Sequence, residues 1–311
     1  MRNSAPKPLH IRTPLLESST LSRLCGKQVF LKMDNLQPVG SFKIRGIGRV
    51  CQRGKDRGCA HFVCSSGGNA GYAAAYAGRM LGVPTTVFVP QTTSGEFRRF
   101  IALEGADVRV AGRVWDETHE QAVAFARSLG ALYVHPFDDP EVWQGHSTLV
   151  DEVVEEIGAP EEIVLAVGGG GLLCGIIEGL KRHRLEATRI RAVETEGTAS
   201  LAAALRAGHL VTLPEVNGIA KTLGARTVAP QAFEWAKQLA ASPVVVSDAA
   251  AVEACARFAD DHRALVEPSC GAALAAVYGG LIPPSNSGRL LIVVCGGLGI
   301  SLKSLAEWSA S

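Results

Sequence analysis

Short β-branched runs alternate along this chain with stretches of helix-forming residues, and that alternation constrains the fold more than any other feature. The runs lie at 29–33, 61–64, 85–89, 108–110, 132–134, 163–167, 190–193, 244–246 and 290–294. Stretches rich in Ala, Leu, Glu and Arg lie between them, at 69–81, 115–129, 172–182 and 249–262. Strands that alternate with helices build parallel sheets from strand–helix–strand units. Runs 163–167 and 290–294 are apolar throughout, as expected of strands covered on both faces. The pattern predicts an α/β protein with mostly parallel sheets and flanking helices.

Composition narrows the class. A chain of 311 residues suggests two domains, at roughly 150 residues each. Hydrophobic residues make up 47% and charged residues 20%, which excludes a disordered chain. Lys and Arg number 31 against 30 Asp and Glu, so the basic footprint of a nucleic-acid or membrane-surface protein is missing. The amino-terminal stretch has no apolar signal core. Residues 268–288 are uncharged, but Pro283, Pro284, Ser285 and Asn286 break any membrane span. The eight cysteines contain no C-x-x-C pair and read as small buried hydrophobes of a reducing compartment. A soluble, cytoplasmic protein is expected.

Four segments, all of which can serve one crevice, carry residues that a plain core does not need. In open α/β sheets ligands sit at the carboxyl ends of strands. The first is an apolar run ending at Val167, then Gly168, Gly169, Gly170 and Gly171, then Leu172 and a helix. Such a turn presents backbone N–H groups at a helix N-terminus, where the helix dipole favours an anion. The run fails the G-x-G-x-x-G test, because the sixth residue from Gly168 is Leu173. No Lys-Ser or Lys-Thr follows, as a Walker loop requires. A single phosphate therefore suits it better than a dinucleotide, and a tight turn without ligand is the alternative.

In the second segment, Gly40-Ser41-Phe42-Lys43-Ile44-Arg45-Gly46, one lysine stands between a turn and a helix start. A semi-buried lysine beside an aromatic ring can act as an amine nucleophile or base, although most lysines are solvated surface groups. The third segment, the polar glycine loop Ser65-Ser66-Gly67-Gly68-Asn69-Ala70-Gly71, follows a strand and opens a helix. Ser and Asn are good helix N-caps. The same groups also make a nest of donors suited to a carboxylate. The fourth segment, Cys295-Gly296-Gly297, ends an apolar strand, where the thiol is either core or faces a ligand.

Taken in order, these motifs resemble fold-type II pyridoxal phosphate enzymes, and among them the serine/threonine dehydratase family, most of all its short animal-type L-serine dehydratases. The likeness spans nearly the whole chain and includes Val266-Glu267-Pro268-Ser269-Cys270-Gly271, Pro136-Phe137-Asp138-Asp139-Pro140 and Val193-Glu194-Thr195. It implies two open, twisted, mostly parallel sheets, as in the tryptophan synthase β fold. A large cofactor domain would comprise 1–44 and 139–311, and a small substrate-loop domain 45–138. By the resemblance, Lys43 corresponds to the lysine that forms the Schiff base with pyridoxal phosphate, and Phe42 to the ring beside the cofactor. Asn69 matches the partner of the pyridine 3-oxygen. Ser66, Gly67, Asn69 and Ala70 match the substrate loop, and Gly168, Gly169, Gly170, Gly171 and Leu172 the phosphate loop. Cys295 matches the residue opposite the pyridine nitrogen. Glu194, Thr198, Ser200, Leu223 and Ala225 resemble a monovalent-cation site, for which K+ is the expected ion. Thr222 stands where close relatives carry Ala.

The implied activity is β-elimination from L-serine, and L-threonine, giving a 2-oxo acid and ammonia. A neutral thiol at 295 leaves the ring nitrogen uncharged, which favours elimination over transamination. The alternatives in the same fold are a serine racemase and a β-replacement enzyme. Related racemases place a serine two residues before the loop asparagine, where this chain has Gly67. A homodimer is expected. The stretch after Trp308 is too short for an effector domain, so none is expected.

Overall fold

The computed structural model describes residues 7–283 and 288–309; Pro284, Ser285 and Asn286 of the expected chain break lie outside the described residues. Ten strands occur among the described residues: β1 (Leu15–Glu17), β2 (Gln28–Lys32), β3 (Phe62–Ser65), β4 (Thr85–Val89), β5 (Asp107–Val110), β6 (Leu132–Val134), β7 (Glu162–Ala166), β8 (Arg189–Thr195), β9 (Ser242–Val246) and β10 (Arg289–Val293). They form a six-stranded sheet, ordered β1-β2-β10-β7-β8-β9, and a four-stranded sheet, ordered β5-β4-β3-β6. Only the β1–β2 pairing among them is antiparallel. This is the expected α/β architecture of two mostly parallel sheets.

The chain divides into two compact units. One comprises the described part of Met1–Arg12, with Gln37–Val39 and Lys43–Gly145; the other comprises Thr13–Leu36, Gly40–Phe42 and the described part of His146–Ser311. The smaller unit holds the four-stranded sheet. Val63 and Phe88 on one face pack against Ala122 and Ala126 of the helix Trp115–Leu129. Val87 and Val89 on the other face pack against Ala75 and Ile101, which come from the helices Asn69–Leu81 and Gly95–Leu103. Successive strand residues alternate between these two covers, as the strand period of two requires.

The larger unit holds the six-stranded sheet. Every residue of β7 is buried, and so is every residue of β10 after Arg289. The helix Pro268–Tyr278 is buried along its whole length except for Tyr278. Glu162 on β7 is buried as a charge, with Lys27 at 3.0 Å and Arg191 at 2.7 Å. Removing one partner of such a group strands a buried charge, which is far more disruptive than removing a surface pair.

The expected helices over 69–81 and 115–129 are present with those bounds. β1 was not expected: Leu15-Leu16-Glu17 is short and largely exposed, so it carries no apolar run. Seven of the eight cysteines are buried, Cys59 being half-buried, and all are free thiols. No helix among the described residues is long and apolar enough to cross a membrane.

Candidate active site

The lysine motif passes from one unit to the other, with Gly40, Ser41 and Phe42 in the larger and Lys43 in the smaller. Within the larger unit, Ser41 pairs with Gly296 in an isolated antiparallel bridge. The Phe42 N–H donates to the Cys295 carbonyl at 2.9 Å, and Gly297 N–H donates to the Gly40 carbonyl at 2.9 Å. Gly40 has φ +68°, and an added Cβ would meet Leu298 Cβ at 3.3 Å, so glycine suits both the turn and the close approach. Two of the four motifs are thus one structure, with Phe42 fastened to Cys295. The Phe42 ring packs on His146, with centroids 4.8 Å apart.

The Cys295 thiol is fully enclosed. Its hydrogen bond with Cys270, followed by burial, holds it well above its ordinary range, and the Glu267 carboxylate adds to the effect. It is a neutral thiol at neutral pH. Glu267 is itself clamped: its carboxylate accepts from the Thr222 hydroxyl at 2.7 Å and from Gly299 N–H at 2.9 Å. Thr222 also lies 2.5 Å from the Ser269 hydroxyl. The hydroxyl that distinguishes Thr222 from Ala therefore ties the turn Lys221–Leu223 to the start of the helix Pro268–Tyr278.

The glycine run sits at the carboxyl end of β7 and opens the helix Gly171–Arg182. Gly170 is the N-cap, with φ +90° and no side-chain cap. The first-turn N–H groups of a helix have no intrahelical acceptor, so here they are left to an outside partner. A Cβ at Gly168 would lie 2.8 Å from the Leu223 backbone, and one at Gly170 would lie 2.4 Å from Ala232 Cβ. Packing therefore demands glycine at 168 and 170, whereas the donor set is what suits a phosphate.

Glu194 lies near the end of β8, and its two oxygens accept from Leu201 N–H and Ala202 N–H, each at 2.8 Å. Burial pushes its carboxyl up to about 7 despite those bonds. Thr198 bonds Thr195 at 2.9 Å, and the buried Ser200 hydroxyl has no hydrogen-bond partner among the described residues. Leu223 abuts Gly168, and its carbonyl accepts from Ala225 N–H at 2.8 Å. Glu194, Thr198 and Ser200 thus stand at the end of β8 and the start of the helix Ser200–Ala207, and Leu223 and Ala225 in and just after the turn Lys221–Leu223.

In the smaller unit Lys43 is the first residue of the helix Lys43–Asp56 and is half-buried, its Nζ donating to the Pro136 carbonyl at 2.7 Å. Burial pushes the Cys64 thiol up to about 12, with Lys43 acting against it. Asn69 does not cap the helix Asn69–Leu81, contrary to the simplest reading of the loop. The N-cap is Gly68, which has no side-chain cap, and Asn69 is the first helical residue. Ser66 Oγ accepts from Gly68 N–H at 3.3 Å. A Cβ at Gly71 would lie 1.9 Å from the Ser66 carbonyl, so glycine lets the loop close on the helix.

The sequence motifs did not point to the groups behind this loop. Trp115 Nε1 donates to the Ser65 carbonyl at 2.6 Å. Tyr133, His135 and Phe137 alternate out of β6, and their rings pack against Trp115 and His119 of the facing helix. The period of two over 133, 135 and 137 and the spacing of four between 115 and 119 were visible signals of one aromatic cluster.

Within the larger unit, the donor set at Gly168–Leu172 suits a phosphate group, and the neutral thiol at Cys295 suits an uncharged ring nitrogen. Comparisons with known proteins agree. The family model described as pyridoxal-phosphate dependent enzyme matches residues 7–296. The chain is 49% identical over 310 residues to a mouse (Mus musculus) protein named serine dehydratase-like, covering 97% of this chain and 94% of that one. It is 48% identical over 311 residues to the human (Homo sapiens) L-serine dehydratase/L-threonine deaminase, covering 96% of this chain and 94% of that one. The crystal structure of a fungal L-serine ammonia-lyase from Rhizomucor miehei superposes with a TM-score of 0.91 at 37% identity, covering 98% and 99% of the two chains.

Proposed function

The chain belongs to the pyridoxal-phosphate dependent enzymes, and from that premise we propose that it is an L-serine/L-threonine ammonia-lyase, converting L-serine to pyruvate and ammonia and L-threonine to 2-oxobutanoate and ammonia. The observation that carries the site is the pairing of Ser41-Phe42 with Cys295-Gly296, one peptide bond before Lys43. It fastens the residue preceding the amine to the backbone of the residue whose thiol is expected to face a ring nitrogen.

Pyridoxal phosphate supplies an electron-withdrawing ring that acidifies the substrate's Cα proton. The residues around it have separable tasks. Lys43 would hold the aldehyde carbon and, once displaced by the substrate's amino group, would take the Cα proton as a tethered base. Gly168, Gly169, Gly170, Gly171 and Leu172 would hold the phosphate through backbone N–H groups. Asn69 would hold the ring 3-oxygen, and Ser66, Gly67 and Ala70 the substrate carboxylate. The Phe42 ring would lie beside the cofactor. Cys295, kept neutral by Cys270 and burial, would face the ring nitrogen without charging it. Glu194, Thr198, Ser200, Leu223 and Ala225 are proposed to hold K+, a reading supported by the unpartnered Ser200 hydroxyl.

The division into a cofactor domain, 1–44 with 139–311, and a substrate-loop domain, 45–138, belongs to this proposal. So do a cytoplasmic homodimer, for which the free thiols suit a reducing compartment, and an amino acid as the partner molecule. The test is a visible absorbance scan with 2-oxo acid release from L-serine and L-threonine. Colourless protein, or coloured protein that releases no 2-oxo acid, would overturn the proposal.

A further inference from the structure

One hydrogen-bonded chain in the smaller unit has no part in the roles above. Ser65 is the last residue of β3 and stands immediately before Ser66 of the substrate loop. Its hydroxyl lies 2.5 Å from the Tyr133 hydroxyl, which lies 2.7 Å from His119 Nδ1. β3 and β6 are parallel neighbours with Val63 opposite Tyr133, so Ser65, two residues on, faces the same side of the sheet. That side is covered by the helix Trp115–Leu129, which presents His119 along with Ala122 and Ala126. Ser65 is fully buried, whereas Tyr133 and His119 are partly open. The chain therefore runs from the base of the loop toward the surface.

A phenol has one proton, so Tyr133 can donate to only one of its two partners at a time. When His119 Nδ1 is unprotonated, it accepts from Tyr133, and Ser65 must in turn donate to Tyr133. When His119 is an imidazolium, both ring nitrogens are donors, so Nδ1 donates to Tyr133 and Tyr133 donates to Ser65. The Ser65 proton is then released toward the loop.

We infer that His119, acting through Tyr133, is a positioning residue that sets the direction of the Ser65 hydroxyl, and with it the number of donors available at the base of the loop. The inference rests on the reading of that loop as the seat of the substrate carboxylate. The groups facing His119 are Trp115, Asp116 and Glu120 from its own helix, and Tyr133 and His135 from β6 and the residues after it. Burial lowers the His119 pKa, with Asp116 and Glu120 acting against it. As the Nε2–H tautomer, neutral His119 sets the chain away from the loop, and protonation of the ring reverses it.

Two variants, Tyr133→Phe and His119→Leu, remove the phenol and the imidazole it serves, so that Ser65 is no longer obliged to donate into the chain at any pH. The experiment measures KM for L-serine and kcat from pH 8 to pH 5.5 in the wild-type holoenzyme and in each variant. The expected result is a variant-to-wild-type KM ratio well below one at pH 8 that rises toward one as the pH falls below 6.5 and His119 takes up its proton. One hydrogen bond to a charged group makes this a change of about tenfold, with kcat ratios flat. A KM ratio that does not change with pH overturns the inference. In parallel, His119 is titrated by NMR in the full chain, with each variant used for assignment. A His119 pKa that is the same in wild type and Tyr133→Phe also overturns it, and a shifted pKa supports it. Absence of turnover in wild type at all pH values would instead strike the proposed function, whereas the NMR comparison reads the chain alone.

Discussion

The Thr93 hydroxyl fills the space in which any side chain at Gly67 would begin: a Cβ built on Gly67 would lie 2.0 Å from Thr93 Oγ1 and 2.9 Å from Thr93 Cβ. Thr93 is held in its turn by a bond from its N–H to the Pro90 carbonyl, so it cannot simply withdraw. Inversion at Cα needs a proton donor on the side away from Lys43, and glycine at 67 provides none. Gly67→Ser alone should therefore lose stability and substrate affinity without gaining inversion. Gly67→Ser combined with Thr93→Gly has room for the hydroxyl and should release D-serine from L-serine. Chiral chromatography checks this; D-serine appearing as fast as pyruvate from the unmodified enzyme would show that position 67 is not the determinant.

Lys43→Ala should abolish the visible absorbance of the bound cofactor and stop borohydride from fixing cofactor to the chain. Loss of the tethered base should slow turnover by at least about a thousandfold. Methylamine added to the variant should restore part of the rate if the missing amine is the cause. A Lys43→Ala protein that keeps its colour and turnover would place the amine elsewhere.

At Cys295 the expected outcomes separate by charge. Cys295→Ser keeps a neutral group facing the same way and should retain elimination within about tenfold. Cys295→Asp should charge the ring nitrogen and divert turnover toward transamination, seen as pyridoxamine phosphate accumulating during reaction. Unchanged product partition in Cys295→Asp would show that the thiol is only core.

His135 gives a stability prediction with a definite sign. Burial, then His119 and Lys43, push its pKa from 6.5 down to about 3, so it stays neutral in the fold while the unfolded chain takes up a proton. The unfolded state then binds more protons as pH falls from 6.5 toward 3, and stability is lost over that window. Between pH 7 and pH 5 the His135 share is about 2 kcal/mol. In His135→Gln, urea unfolding at the two pH values should show a loss smaller by about that amount. An equal loss in both proteins would mean that His135 is not held neutral.

The sheets and the glycine run were legible because each follows from a local rule. Apolar runs such as 163–167 mark strands covered on both faces, and four glycines after a strand mark a close backbone approach. The Phe42–Cys295 bond was not legible, because the residues it joins are 253 positions apart and no local pattern links them. The place of Thr93 was hidden for a similar reason: a threonine in a turn looks like solvent, and only the structure shows it standing beside Gly67. The Ser65–Tyr133–His119 chain was half visible, as a period of two on one segment and four on another. What joined them was the β3–β6 pairing, which sequence periodicity does not specify. The N-cap was not legible, because Ser and Asn are both good caps, whereas here the backbone turns at Gly68.

The pairing of β2 with β10 sets an order of events during synthesis. Gln28 of β2 lies beside Arg289 of β10, so nearly the whole chain must leave the ribosome before that ladder can form. At roughly 5–20 residues per second the wait is on the order of tens of seconds. β3 to β6 lie close together in sequence and meet in a sheet of their own, which can assemble during that interval. For all that time the hydrogen-bonding edge of β2 lacks its permanent neighbour, so a nascent chain stalled before β10 exposes an unpaired strand edge and is the form that most needs a chaperone.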